Sequence, residues 1–159
     1  MGRALAARLQ AKLVDLDEEI VRRAGRPIPE IFAAEGEEGF RDREEQTLAE
    51  VAAREGPLVV ATGGGVVLRE ANRRRMAEYG TMVYLHAGVD TLLARAGGDP
   101  NRPLLQVDDP RAKLEALQAE REPLYREADL VVTTDGRKPG EVAEEILARL
   151  PAPGADPVD

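Results

Sequence analysis

Leu58-Val59-Val60-Ala61-Thr62-Gly63-Gly64-Gly65 is the stretch that decides the fold. Its opening apolar run is too short for a helix and marks a strand buried on both faces, as in a parallel sheet. The strand runs straight into three glycines, where two would suffice for a tight turn. Consecutive glycines let backbone approach a ligand closely and aim N–H groups at it. No Gly-Lys-Ser/Thr follows, so this is not a Walker A loop.

Outward from this stretch, helical and strand patterns alternate. Residues 4–13 read as a helix, and Leu13-Val14-Asp15-Leu16-Asp17 as a short strand ending in acids. Asp17 is expected to cap a helix over residues 18–24, with acids in its first turn. Gly25-Arg26-Pro27 breaks it. Residues 29–34 form a short helix, Gly36 punctuates, and residues 37–54 form a long one. Downstream, the pattern gives a helix over 70–79, a strand over 81–85 and a helix over 90–96. A Gly/Asp/Pro-rich loop over 97–110 then leads to a helix over 111–126, a strand over 130–133 and a helix over 140–150. The alternation predicts an α/β fold: a parallel sheet with flanking helices in three layers. In such folds ligands sit at the carboxyl ends of the strands. One domain spans residues 1–150, and the proline-rich tail 151–159 is expected to be disordered.

Composition narrows the class. The 159 residues are 43% hydrophobic and 33% charged, with a net charge of −8 and no cysteine. The acidic balance argues against nucleic acid as the main partner. No run is long and apolar enough for a membrane span, and the start does not read as a signal peptide. Absence of cysteine fits the cytoplasm. The expected state is a monomer.

Several side chains could carry chemistry. Asp15 and Asp17, at a strand end, suit either Mg²⁺ or hydrogen bonds to a polyhydroxy substrate; helix capping and a surface acid are the plainer reading. Arg41 and Glu44 lie three apart on a helix, either as a solvated ion pair or as a carboxylate fixing Arg41 for a bidentate grip on an anion. Arg95 and Arg102 flank a long loop, and a lid arginine can neutralise a transferring phosphoryl group. His86, the sole histidine, has no partners for a catalytic or metal cluster and reads as incidental.

Order and spacing say more than any single signal. Asp15-Leu16-Asp17 with Ile20, Gly25-Arg26-Pro27-Ile28 with Ile31-Phe32, Gly36-Glu37 with Phe40-Arg41 and Glu44, and Gly63-Gly64-Gly65 closely resemble the shikimate kinase family. So do Arg102-Pro103-Leu104-Leu105, Arg121-Glu122-Pro123-Leu124-Tyr125 and Arg137-Lys138-Pro139. The resemblance covers residues 1 to about 150 and implies a nucleoside-monophosphate-kinase-like P-loop fold, with MgATP phosphorylating the 3-hydroxyl of shikimate. By position it implies that Asp17 orients or deprotonates the acceptor hydroxyl. Arg41 and Arg121 would grip the shikimate carboxylate, and Gly63, Gly64 and Gly65 would close the pocket. It further implies Arg102 on the phosphates, Arg95 and Arg137 on the adenine side, and Asp15 near Mg²⁺ through water.

One departure is large. The family's Gly-x-x-x-x-Gly-Lys-Ser/Thr loop and the central strand before it have no counterpart, and no Gly-Lys pair occurs anywhere. Met1 stands about where the residue after that loop would fall, so a misassigned start codon or a truncated gene model is expected. About four to five buried aliphatics on the missing strand would contribute on the order of 10 kcal/mol. That rivals a domain's whole net stability of about 5–15 kcal/mol. Two alternatives stay open: a pseudo-kinase that binds shikimate without ATP, and a kinase of another small hydroxy acid.

Overall fold

The computed structural model describes residues 1–96 and 99–151. Gly97 and Gly98 of the expected lid, and residues 152–159 of the expected tail, lie outside the described residues. The element order is α1 (Gly2–Leu9), β1 (Lys12–Asp15), α2 (Leu16–Ala24), α3 (Ile28–Ala52), β2 (Leu58–Ala61) and α4 (Glu70–Tyr79). Then come β3 (Val83–His86), α5 (Val89–Ala96), α6 (Pro110–Tyr125), β4 (Leu130–Thr133) and α7 (Pro139–Arg149). Short 3₁₀ turns occupy Gly64–Leu68 and Pro103–Leu105.

The strands form two parallel pairs, β1 with β2 and β3 with β4. Among the described residues no ladder joins β2 to β3. Instead both strands line one cavity of about 830 Å³, whose walls include Gly2, Leu5, Val60, Val83, Tyr84 and Ile146. This slot lies between the two strand pairs. It also corrects the reading of β2, which is only half-buried at all four positions. Among the described residues, this aliphatic strand, expected to be covered on both faces, has no strand beside its outer edge.

Each pair has its own apolar core. Val14, Leu16, Ile20, Ile31, Phe40 and Val51 pack on the β1–β2 side, and Val132, Val142 and Ile146 on the β3–β4 side. Local chemistry sets the helix ends. Asp15, rather than the expected Asp17, caps α2 by accepting from the Glu18 amide at 3.2 Å. Asp17 is thereby drawn into the first helical turn. Acids at the start of α2 and Arg22 and Arg23 at its end complement the helix dipole. Gly25 ends it in the left-handed conformation, φ 71°. Asp109 caps α6 through the Ala112 amide at 3.1 Å.

The punctuation expected at Gly36 is a sharp break inside α3, with φ 73° and ψ −179°. That region is essentially reserved for glycine. The break re-aims the second half of α3, which carries Phe40, Arg41 and Glu44 toward the ends of the first strand pair. Gly36→Ala should therefore lower stability by about 1–3 kcal/mol, measured as a fall in the urea midpoint with little change in slope.

Candidate functional site

Register assembles the first cluster. Asp15 pairs with Ala61 across the β1–β2 ladder, so the segments leaving both strands start level. Two residues on, Asp17 meets Gly63, where a Cβ would sit 3.4 and 3.5 Å from its carboxylate oxygens. On Gly64 a Cβ would lie 2.8 Å from the Tyr125 hydroxyl and 3.5 Å from Arg121 Nη1. On Gly65 it would overlap the Arg41 guanidinium. Each glycine is thus matched to a different side chain, which a simple turn would not require.

The charges here are deeply set. Arg41 is 7% exposed, Arg121 8% and Glu44 1%. Arg41 Nη1 donates to Glu44 Oε1 at 3.0 Å. Arg41 Nε, Arg121 Nε and Glu44 Oε2 are buried without hydrogen-bond partners; Glu37 stands 3.6 Å from Arg41 Nε, outside bonding geometry. Unmet buried donors on two arginines make the cluster receptive to an anion with several acceptor oxygens.

Burial pushes the Asp17 carboxyl above its ordinary range, and the neighbouring Asp15 adds to the rise against the pull of Arg102 and Arg41. Burial likewise raises Glu44, opposed chiefly by Arg41. Arg102 opens the 3₁₀ turn Pro103–Leu105, which packs on α3 and α6 with Leu105 buried. Its side chain is 54% exposed and 4.0 Å from Asp99, free to reach a ligand while its field still acts on Asp17.

Asp15 is half-buried and spends one oxygen on the α2 cap. Among the described residues no group of three or more His, Cys, Asp or Glu could hold a metal. A lone carboxylate such as Asp15 could meet a cation only through its waters, with other oxygens supplied by a bound phosphate.

Arg95 and Arg137 belong to a second cluster, at the ends of β3 and β4. Arg95 donates to the Thr134 hydroxyl at 3.2 Å and its carbonyl at 3.4 Å. Arg137 Nη1 donates to the Thr133 carbonyl at 2.9 Å and pairs with Glu145 at 2.7 Å. His86 packs edge-on against Tyr84 and takes no part in the first cluster. The sequence reading assigned no role to Tyr125, Asn72 and Arg73, which donate to the carbonyls of Gly64, Val66 and Val67. For Tyr125 one signal existed: it follows Arg121 by one helical turn.

A family model for shikimate kinase matches residues 1–151. The chain belongs to the shikimate kinase family. The shikimate kinases of Pseudomonas putida and Pseudomonas fluorescens are 51% and 52% identical to it over 151 residues, covering 94% of this chain and 87% of theirs. Among solved structures, shikimate kinase from Acinetobacter baumannii in complex with shikimate aligns with a TM-score of 0.89 at 44% identity. That alignment covers 92% of this chain and 82% of the other. The Aquifex aeolicus shikimate kinase aligns at 0.80 with 33% identity, covering 92% and 85%. The fold is accordingly the α/β fold of the nucleoside-monophosphate-kinase-like P-loop kinases, as the motifs implied.

The raised acids carry a stability consequence. A carboxyl raised on folding binds its proton more tightly in the native state, so stability falls as pH climbs from the ordinary 3.8 of Asp17 through its folded value. Above that window the ionised group is a standing cost. Asp17→Asn should therefore melt higher than wild type at pH 7, with the gap closing on acidification; thermal scans across pH measure this.

Proposed function

We propose that this protein transfers the γ-phosphoryl group of ATP to the 3-hydroxyl of shikimate. One observation carries the reading: Arg41 and Arg121, both buried and both with an unmet Nε, sit over the glycine turn, with Asp17 on the Gly63 side. A ring acid with adjacent hydroxyls fits this division. The two guanidiniums take the carboxylate and the Asp17 carboxylate takes the hydroxyls, with Gly63, Gly64 and Gly65 forming the backbone wall. Membership of the shikimate kinase family agrees with that chemistry.

In transfer, Asp17 accepts a hydrogen bond from the attacking hydroxyl and draws off its proton as the new oxygen–phosphorus bond forms and the γ-phosphorus bond to the bridging oxygen breaks, releasing ADP. Its raised affinity for protons favours that role. Arg102, reaching over from the Pro103–Leu105 turn, spreads positive charge over the moving phosphoryl oxygens. Mg²⁺, when bound, neutralises phosphate charge, and Asp15 would hold one of its waters. Arg95 and Arg137 would flank the adenine. The arrangement is read as a monomeric, cytoplasmic domain over residues 1–150. No helix among the described residues is long and apolar enough to cross a membrane.

Residues 1–159 contain no phosphate loop of the Gly-Lys-Ser/Thr kind, so binding and transfer are tested separately. Titration calorimetry on this chain, after circular dichroism confirms folding, should show shikimate binding and no binding of gluconate. Equal affinity for both, or none for shikimate by a folded chain, would sink the reading. Transfer is assayed on the chain preceded by the in-frame codons upstream; we propose that these encode a strand and Gly-x-x-x-x-Gly-Lys-Ser/Thr. Shikimate binding without transfer in that longer chain would favour the non-catalytic alternative.

Two substitutions separate the roles. Asp17→Asn should lower kcat about 10²–10⁴-fold. Gly65→Ala should displace the guanidinium of Arg41 and weaken shikimate about 10–100-fold, the worth of a charged hydrogen bond. Steady-state kinetics of the transferring chain and calorimetry, respectively, measure these losses.

A further inference from the structure

Three side chains hold the glycine turn by its carbonyls. The Tyr125 hydroxyl, on α6, donates to the Gly64 carbonyl at 2.8 Å. From α4, Asn72 Nδ2 donates to the Val66 carbonyl at 3.0 Å and Arg73 Nη1 to the Val67 carbonyl at 2.7 Å. Asn72 is 1% exposed, so its bond forms away from water, where an unmet carbonyl would bear its full desolvation penalty. Neither Tyr125 nor Asn72 belongs to the set that touches substrate in the reading above.

Tyr125 does not swing freely. Its ring stacks on Tyr84 with centroids 4.8 Å apart and planes 28° apart. Tyr84 is itself fixed by donating to Glu122 Oε2 at 2.7 Å, and burial with that bond keeps its phenol protonated. The hydroxyl of Tyr125 is thus delivered to Gly64 by a braced pair of rings. Because the peptide is planar and trans, drawing the Gly64 carbonyl toward α6 turns the Gly65 N–H to the opposite side. That one bond sets the tilt of the peptide between Gly64 and Gly65.

The tilt matters because of what flanks it. Arg121 and Tyr125 are one turn apart on α6, so one helix face carries both an anion-gripping cation and the anchor of the turn. Gly65, one peptide further, supports Arg41. We infer that Tyr125 and Asn72 are positioning residues, fixing the glycine turn between Arg121 and Arg41 so that both guanidiniums meet one carboxylate. The ligand part rests on the functional reading above; the hold on the turn stands on geometry alone.

The test is Tyr125→Phe, which keeps the ring stack and deletes only the donor, with Asn72→Leu as a second variant acting from the opposite helix. Hydrogen exchange without ligand should speed about fivefold over residues 63–68 in Tyr125→Phe, the loss expected for one hydrogen bond. Shikimate Kd should rise about fivefold as well, with the thermal midpoint within about 4 °C of wild type. In the transferring chain, KM for shikimate should rise while KM for ATP holds, a split that general loosening would not give. Unchanged exchange at 63–68 in both variants overturns the inference. So does faster exchange with unchanged shikimate affinity. If wild type binds no shikimate, the functional reading falls instead, and exchange at 63–68 alone decides whether these side chains hold the turn.

Discussion

The constraint on which the site depends is the register of β1 against β2. Lys12 pairs with Leu58 and Asp15 with Ala61, so both strands stop at the same level. From there the chains diverge, one into a helix capped by Asp15, the other into the glycine turn. Asp17 and Gly63 are equally far past the last pair, and a Cβ on Gly63 would stand 3.4 Å from the Asp17 carboxylate. A slip of one residue would exchange the faces of the whole strand and put Leu16 where the carboxylate belongs. Leu16 is fully buried in the first core, so that slip would also expose a core side chain.

Around this contact the protein gathers charge that a stability-first design would avoid. Glu44 and Asp17 are both raised by burial, and Arg41 and Arg121 are almost as deep as Glu44. Removing one partner of a buried pair such as Arg41–Glu44 typically costs about 3–5 kcal/mol, because the other charge is stranded. The arrangement therefore locks its own members in place. The idle Nε donors of Arg41 and Arg121 would be met by a bound carboxylate. Binding capacity and strain have the same origin.

Much of this was legible because it is local. Leu58–Ala61 and Leu130–Thr133 are strands over the spans their apolar runs marked, and Gly36 breaks the helix where its lack of a side chain allows. The choice of cap was harder: Asp15 and Asp17 have the same chemistry, and only the ladder's end decides that Asp15 does the capping. The half-buried state of β2 was illegible because a run of aliphatics records what a strand is suited to, not which neighbour is beside it. Tyr125 lay hidden for a third reason. Its hydroxyl meets a backbone carbonyl 61 positions away, and a carbonyl leaves no trace in residue identity.

The slot between the strand pairs gives α6 a structural importance that its sequence does not announce. Asp17, Arg41 and all three glycines belong to the β1–β2 side, whose core is continuous. Arg121 comes from α6, as does Glu122, which takes the hydrogen bond of Tyr84 on β3. Tyr125, on the same helix, holds Gly64 and stacks on Tyr84. The helix is thus bonded to both halves, and the distance between them fixes how Arg121 stands over the glycine turn. A strand seated in the slot would join the edges of β2 and β3 by main-chain hydrogen bonds and set that distance rigidly. The glycine turn and the sheet are therefore tied together through α6, and an ordered sheet centre would sharpen the grip of Arg121 and Arg41 on the anion proposed above.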